Sequence, residues 1–301
     1  MKSGLYIGLV VLGGFVSHSA FAALNIFACE PEWASLADAL GGDRVKVVSA
    51  TTAHQDPHRI EARPSLIAKV RRADLLVCSG AELEIGWLPM LQRQAGNRKV
   101  LPGQSGYFEA AAQVERLGIP QQVDRSQGDV HASGNPHVHL DPRRLLSIAS
   151  ALGERMAKLD PSNAGHYGAR LDDFTQRWRE AMQQWEQRAM PLRGVRLVVH
   201  HQDWVYLFDW LGMVNAGSLE PKPGLPASAG HLAALRKTLQ GVPASAIIYT
   251  HYQNPKAAKR LSQLTGIPAV ELPYTVGGAD GVVDLFTLFD ETLKRLLEVA
   301  P

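Results

Sequence analysis

The chain has 301 residues, 46% of them hydrophobic, and its 31 basic and 29 acidic side chains leave a formal charge of +2. That length and apolarity suffice to bury two cores in two domains of ordinary size. The near-neutral balance, with no basic stripe interleaved with aromatics, argues against a nucleic-acid binder.

Residues 1–22 carry one lysine, Lys2, then an apolar run over 5–16 and the small-residue string Ser19-Ala20-Phe21-Ala22. This pattern predicts a secretory signal cleaved after about Ala22. The run is short for a membrane span, and no cysteine stands at the cleavage point, so neither a retained anchor nor a lipid-attached start is expected. Removing the segment takes away one base and no acid, lowering the charge from +2 to +1.

From residue 24 short β-rich runs alternate with helical stretches: strands at 24–28, 45–48, 74–77 and 99–101, and helices at 33–40, 65–71 and 87–94. Alternation of this kind predicts βαβ units around a parallel sheet, with chemistry at the carboxyl ends of the strands. Cys29 and Cys78 each close one of these runs. If the two strands are parallel neighbours a disulfide is possible in an oxidising compartment. A cysteine-only zinc site is not expected from two thiols.

The loop after 45–48 reads His54-Gln55-Asp56-Pro57-His58-Arg59-Ile60-Glu61, opening into a helix at Pro64-Ser65. Imidazole is a common ligand for borderline transition metals, and the preceding proline stiffens the loop that would present it. Asp56 or Glu61 could take the proton on the second ring nitrogen of His58 and fix its tautomer. His54 looks solvent-facing.

Residues 103–134 are mixed, polar and glycine-containing, so this stretch is expected to be mobile, with His131 near its end as a metal-loading candidate. The grammar of the first histidine loop then recurs in Asn135-Pro136-His137-Val138-His139-Leu140-Asp141-Pro142. Two histidines at i and i+2 share a face in extended backbone.

Tyr167, Leu171, Phe174, Trp178, Met182, Trp185 and Ala189 follow at three- and four-residue steps, which predicts one long amphipathic helix within 158–190. Pro161 marks its start and Pro191 its end. The tryptophans on this face are read as packing.

A second βα series spans 192–301, with strands at 196–199, 213–215, 246–250 and 268–272 and a final helix at 284–298. The first strand ends in His200-His201-Gln202-Asp203, and at most one of the adjacent histidines should enter a shared site. The third strand ends in His251, and the fourth in Pro273-Tyr274-Thr275-Val276-Gly277-Gly278-Ala279-Asp280. The fold class is therefore α/β: an N-terminal lobe over 23–150 and a C-terminal lobe over 192–301, each with a mostly parallel sheet, joined by one long rigid helix.

Asp56-Pro57-His58 with Glu61 and Pro64-Ser65, Asn135-Pro136-His137 running into Leu140-Asp141-Pro142, His201 with Tyr206 and Gly212, and the Glu220-Pro221 loop are the most specific marks in the chain. With them the sequence resembles the ZnuA/TroA-like periplasmic zinc and manganese solute-binding proteins of ABC importers, over essentially the whole mature chain. The resemblance implies a periplasmic protein with one metal ion in the cleft between two lobes. It implies His58, His137 and His201 as ligands, with a carboxylate from the last loop as the fourth. The family places an aspartate directly after the last strand, whereas this chain reads Leu272-Pro273-Tyr274. Asp280 is the nearest downstream acid, with Glu271, Asp284 or water as rivals. His139 stands where the family commonly carries tryptophan and is taken as a supporting or loading residue. Glu61, His131 and His251 are further supporting or loading candidates.

Three imidazoles and one carboxylate make a nitrogen-rich tetrahedral site, which suits Zn(II), one ion per chain, better than Mn(II). The expected partner is the membrane permease of an ABC metal importer, with a metal chaperone as a further candidate, and the protein is expected to act as a monomer. The rival expectation is an exported zinc hydrolase with an open three-histidine site. Against it, the chain has no His-Glu-x-x-His string, and its candidate ligands are spread over loops of both lobes.

Overall fold

A computed structural model describes residues 23–122 and 130–300. The predicted signal segment and the hydrophilic centre of 103–134 lie outside the described residues. The N-terminal lobe is built from β1 (Leu24–Ala28), α1 (Pro31–Gly41), β2 (Val45–Ser49), α2 (Pro64–Arg72), β3 (Leu75–Cys78), α3 (Leu88–Ala95) and β4 (Tyr107–Glu109). Two helices follow, α4 (Pro142–Leu159) and the long α5 (Ala164–Arg188). The C-terminal lobe contains β5 (Arg196–Val199), α6 (Val205–Leu211), β6 (Val214–Ser218), α7 (Ala229–Gly241), β7 (Ala246–Thr250), α8 (Lys256–Thr265), β8 (Ala269–Leu272) and α9 (Leu285–Leu297). Proline opens the first turn of α1, α2, α3 and α4, where its missing N–H would have had no partner.

Each lobe holds a sheet of four parallel strands, ordered β2-β1-β3-β4 and β6-β5-β7-β8. The central strands β3 and β7 are buried throughout, as strands covered by helices on both faces must be. Ala28 pairs with Val77, so the next residues along, Cys29 and Cys78, end side by side with Cα atoms 4.8 Å apart and are joined as a disulfide. The possibility left open by their spacing is thus settled by strand adjacency.

Two expectations need correction. Residues 99–101 are not a strand: Arg98–Val100 form a 3-10 turn whose start is capped by the Asn97 side chain, and the edge strand is β4. At Gly106, just before β4, a Cβ would come within 2.6 Å of the carbonyl oxygens of Asp74 and Lys99, so glycine is what lets the chain turn back beside β3 there. The lobes also do not keep separate cores. Alternate strand residues point to opposite faces, and the inward set, including Ile26, Val77, Val199 and Ile248, merges with α1, α4, α5 and α9 into one core crossing both lobes. The outward sets form two smaller cores, one around Phe27, Leu76 and Leu91 and one around Val198, Ile247 and Leu261.

The long helix carries the predicted apolar face. Tyr167, Phe174, Trp178 and Trp185 are buried along α5, and Trp178 meets Phe286 and Phe289 of α9 edge-on at 4.8 and 5.6 Å. Since α5 also packs on α1 and α4, it is a common spine for both lobes. Among the described residues no helix is long and apolar enough to cross a membrane.

Candidate metal centre

His58 lies in the loop after β2, His137 in the turn before α4, and His201 directly after β5, three segments that the two sheets bring to one place. One ligand nitrogen from each ring lies within 4.8 Å of the other two. Local bonds hold each segment. Trp87 Nε1 donates to Pro57 O at 2.9 Å, and the His58 amide donates to Asp56 Oδ1 at 3.0 Å. Asn135 Oδ1 accepts from the His137 amide at 3.0 Å, while Asn135 Nδ2 donates across the cleft to Gln202 O at 2.7 Å. The Tyr206 hydroxyl donates to Asn135 O at 2.7 Å and accepts from Leu117 N at 3.0 Å. The Asn-Pro-His string and Tyr206 therefore tie the His137 turn to the His201 loop. Gly134 sits at φ +103°, where a Cβ would come within 3.0 Å of Leu117 O, a conformation that strains residues with side chains.

Each of the three rings has its Nδ1 engaged. Asp56 Oδ1 meets His58 Nδ1 at 2.8 Å, Glu220 Oε2 meets His201 Nδ1 at 2.6 Å, and the Tyr274 hydroxyl meets His137 Nδ1 at 2.5 Å. Glu220 Oε2 is itself held by the Gly224 amide at 2.9 Å. The Asp56 and Glu220 carboxylates only accept, so neutral His58 and His201 rings carry their proton on Nδ1 and leave the Nε2 lone pair exposed, whereas the Tyr274 hydroxyl can donate or accept and sets the orientation of the His137 ring. The Nε2 atoms of His58 and His137 are buried and lack a hydrogen-bond partner, a costly state for a polar atom unless a ligand satisfies it. A divalent cation fits that donor set. Tetrahedral Zn–N bonds of about 2.0–2.1 Å separate ligand atoms by about 3.4 Å, so loading would draw the rings together by on the order of 1 Å.

The electrostatics differ from ring to ring. Burial, reinforced by the neighbouring imidazoles of His58 and His201, holds His137 well below the usual histidine range. Burial pulls His201 in the same direction, but Asp203 and Glu220 outweigh it and raise the ring to about 9. The Asp203 carboxylate, fully buried, lies 3.4 Å from His137 Nε2 and accepts from Gln253 Nε2 at 2.8 Å.

The remaining candidates fall as follows. Asp280 is exposed and outside the cluster, whereas Asp203 lies beside the Nε2 atom of His137. Asp284 caps α9 through the Thr287 amide, and Glu271 offers its carbonyl to Arg295 from within β8. Glu61 is exposed, and Asp56 takes the role considered for either acid. His131 stacks on His58 with centroids 5.4 Å apart, in a loop that Glu82 tethers through Ala132 N and Ser133 Oγ. His139 is buried behind the cluster, its Nε2 on Tyr274 O at 3.0 Å. His251 is directed away, hydrogen-bonded through Nε2 to Ala53 O and packed edge-on against His54. The sequence reading missed Asp203, although it stands two residues after His201. It also missed Tyr274, although its position was marked as the departure from the family pattern.

The cavity lined by His58, His201, Glu220 and Tyr252 measures only about 170 Å³, small for an organic solute and suited to an ion. A larger cavity of about 710 Å³ lies between α1, α5 and the start of α9, away from the three imidazoles.

Two parallel-sheet lobes fused on a long helix bring three imidazoles together between them, an arrangement suited to holding one metal ion. The chain belongs to the ZnuA family, described as zinc-uptake complex component A, periplasmic, whose model matches residues 26–299. Members are substrate-binding proteins of ABC importers, which work with a membrane permease and ATPase and are not enzymes, so the hydrolase expectation is set aside. The chain is 22% identical to the manganese ABC transporter substrate-binding lipoprotein PsaA of Streptococcus anginosus, over 84% of this chain and 80% of that one. It is also 22% identical to the metal ABC transporter substrate-binding lipoprotein SloC of Streptococcus mutans, over 90% and 88%. Among solved structures it resembles a crystal structure of ZnuA, with a TM-score of 0.77 at 21% identity over 93% of this chain and 100% of that one. It likewise resembles a manganese-bound periplasmic metal binding protein from candidatus liberibacter asiaticus, with a TM-score of 0.74 at 16% identity over 92% and 100%.

Proposed function

We propose that this protein captures Zn(II), one ion per chain, between its two lobes and delivers it to the permease of an ABC importer. The observation that carries the reading is the set of three buried or half-buried imidazoles with every Nδ1 occupied and one nitrogen of each turned to a common point. His58, His137 and His201 are the proposed ligands, and Asp203 rather than Asp280 is the proposed carboxylate. Its 3.4 Å separation from His137 Nε2 matches the spacing of two ligands on one tetrahedral ion. A nitrogen-rich set favours zinc over manganese, which prefers more oxygen ligands. The relatives named for manganese are distant enough, at 22–24% identity, to leave that preference to the donor atoms. The protein acts as a monomer in the periplasm after removal of residues 1–22, and a metal chaperone is a candidate source of the ion.

Native mass spectrometry of protein purified without chelator reports metal identity and stoichiometry together. Titration of chelator-stripped protein with Zn(II) and Mn(II) then ranks the two ions. Tight one-to-one zinc binding that survives both His58→Ala and His201→Ala would rule the site out.

A further inference from the structure

Behind the metal centre, Glu32 on α1 and His139 before α4 are both fully buried, and both reach from the N-terminal lobe to consecutive residues after β8. The Thr275 hydroxyl donates to Glu32 Oε2 at 2.5 Å, and His139 Nε2 donates to Tyr274 O at 3.0 Å. Glu32 Oε1 lies 3.4 Å from His139 Nδ1, and neither atom has another hydrogen-bond partner. The N-terminal lobe thus grips the main chain of Tyr274 and the side chain of the next residue. Between those grips the phenol ring stands edge-on to His139 at 4.9 Å and to His137 at 5.5 Å, and its hydroxyl meets His137 Nδ1.

Burying a carboxylate and an imidazole costs stability unless their bonds compensate, and apolar side chains would fill the same space at less cost. What the polar pair adds is direction. It fixes where one phenol oxygen sits relative to one ring nitrogen.

We propose that Glu32 and His139 are positioning residues for the metal centre: by holding Tyr274 and Thr275 across the lobe boundary they keep the phenol oxygen on His137 Nδ1, and so hold the ring in the orientation that turns His137 Nε2 to the ion. The proposal rests on the reading of His137 as a ligand. It makes the lobe boundary part of the site before metal arrives, because the loop from one lobe orients a ligand of the other.

The test is a double-mutant cycle on the metal-stripped full chain with Zn(II) as the probe, read by chelator competition and by ring 15N NMR of His137. Tyr274→Phe and Glu32→Leu should each weaken zinc binding about tenfold or more, the scale for losing a partner that orients a ligating histidine. Each should also shift the His137 Nδ1 resonance, which reports loss of the phenol contact. The double variant should bind no more weakly than Tyr274→Phe alone, since Glu32 acts through that phenol. Multiplying losses in the double variant would overturn the proposal. So would a Glu32→Leu protein that melts lower yet keeps the wild-type affinity and His137 Nδ1 resonance. If Glu32→Leu does not fold, Thr275→Val removes the same bond from its other end and completes the cycle. A His137→Ala control separates the two levels: retained tight binding there removes the ligand reading and this proposal with it. Lost binding there with wild-type behaviour in the Glu32 and Thr275 variants removes the positioning role alone.

Discussion

Asp203 Oδ1 lies 3.4 Å from His137 Nε2, carboxylate and imidazole both buried between the lobes, with Gln253 and Tyr252 holding the acid in place. Asp280, the acid favoured by position in the sequence, is exposed to solvent. Asp203→Asn is therefore expected to weaken zinc binding by about tenfold or more, and Asp280→Asn to leave it unchanged. Isothermal or competitive titration of the two variants decides the fourth ligand, and the reverse outcome would return the role to the last loop.

The raised His201 ring sets the pH response. At about 9, against 6.5 for a free imidazole, it carries a proton at neutral pH in the metal-free protein. The stability this proton contributes is complete below about 6.5 and fades as pH rises through about 9. Zinc needs the lone pair, so His201 should make apparent affinity rise about tenfold per pH unit between neutrality and pH 9. Glu220→Gln should flatten that slope, measured by chelator competition across the range, because it removes a group that holds the proton on the ring.

The Cys29–Cys78 bridge closes a separation of 49 residues across β1 and β3. On chain-entropy grounds a loop of that size is worth about 4 kcal/mol. Replacing both cysteines by alanine should lower the denaturation midpoint accordingly, and an unchanged midpoint would mean that the bridge constrains little.

Trp178 joins the spine to the C-terminal lobe, stacking on Phe174 and meeting Phe286 and Phe289, with Nε1 donating to Pro142 O at 2.8 Å. Trp178→Ala should cost about 3–5 kcal/mol in urea unfolding while leaving a one-to-one zinc stoichiometry in the folded fraction. Loss of binding without loss of stability would contradict its assignment to packing.

The class of fold was legible in the sequence because its signals are local. Strand and helix periods, prolines at helix starts and the aromatic face of α5 repeat within a few residues, so βα alternation in two series and one long helix could be read directly. The stretch at 99–101 misled because a short apolar run has no period of its own, and a side-chain cap at Asn97 decided it. His58, His137 and His201 were legible as candidates because proline-stiffened histidine loops recur where strands end.

What surrounds those rings was not legible, for a reason of scale. Tyr274 meets His137 across 137 residues, Thr275 meets Glu32 across 243, and Glu220 meets His201 across 19. Such meetings depend on which strands pair, in what register, and how two sheets pack on a shared spine. The sequence by itself determined the repeated βα architecture and the imidazoles that its strand ends and loops present. Only the tertiary structure decided which acid and which phenol stand beside them, and that the two cysteines meet, because those distances are set by packing between elements rather than by spacing along one.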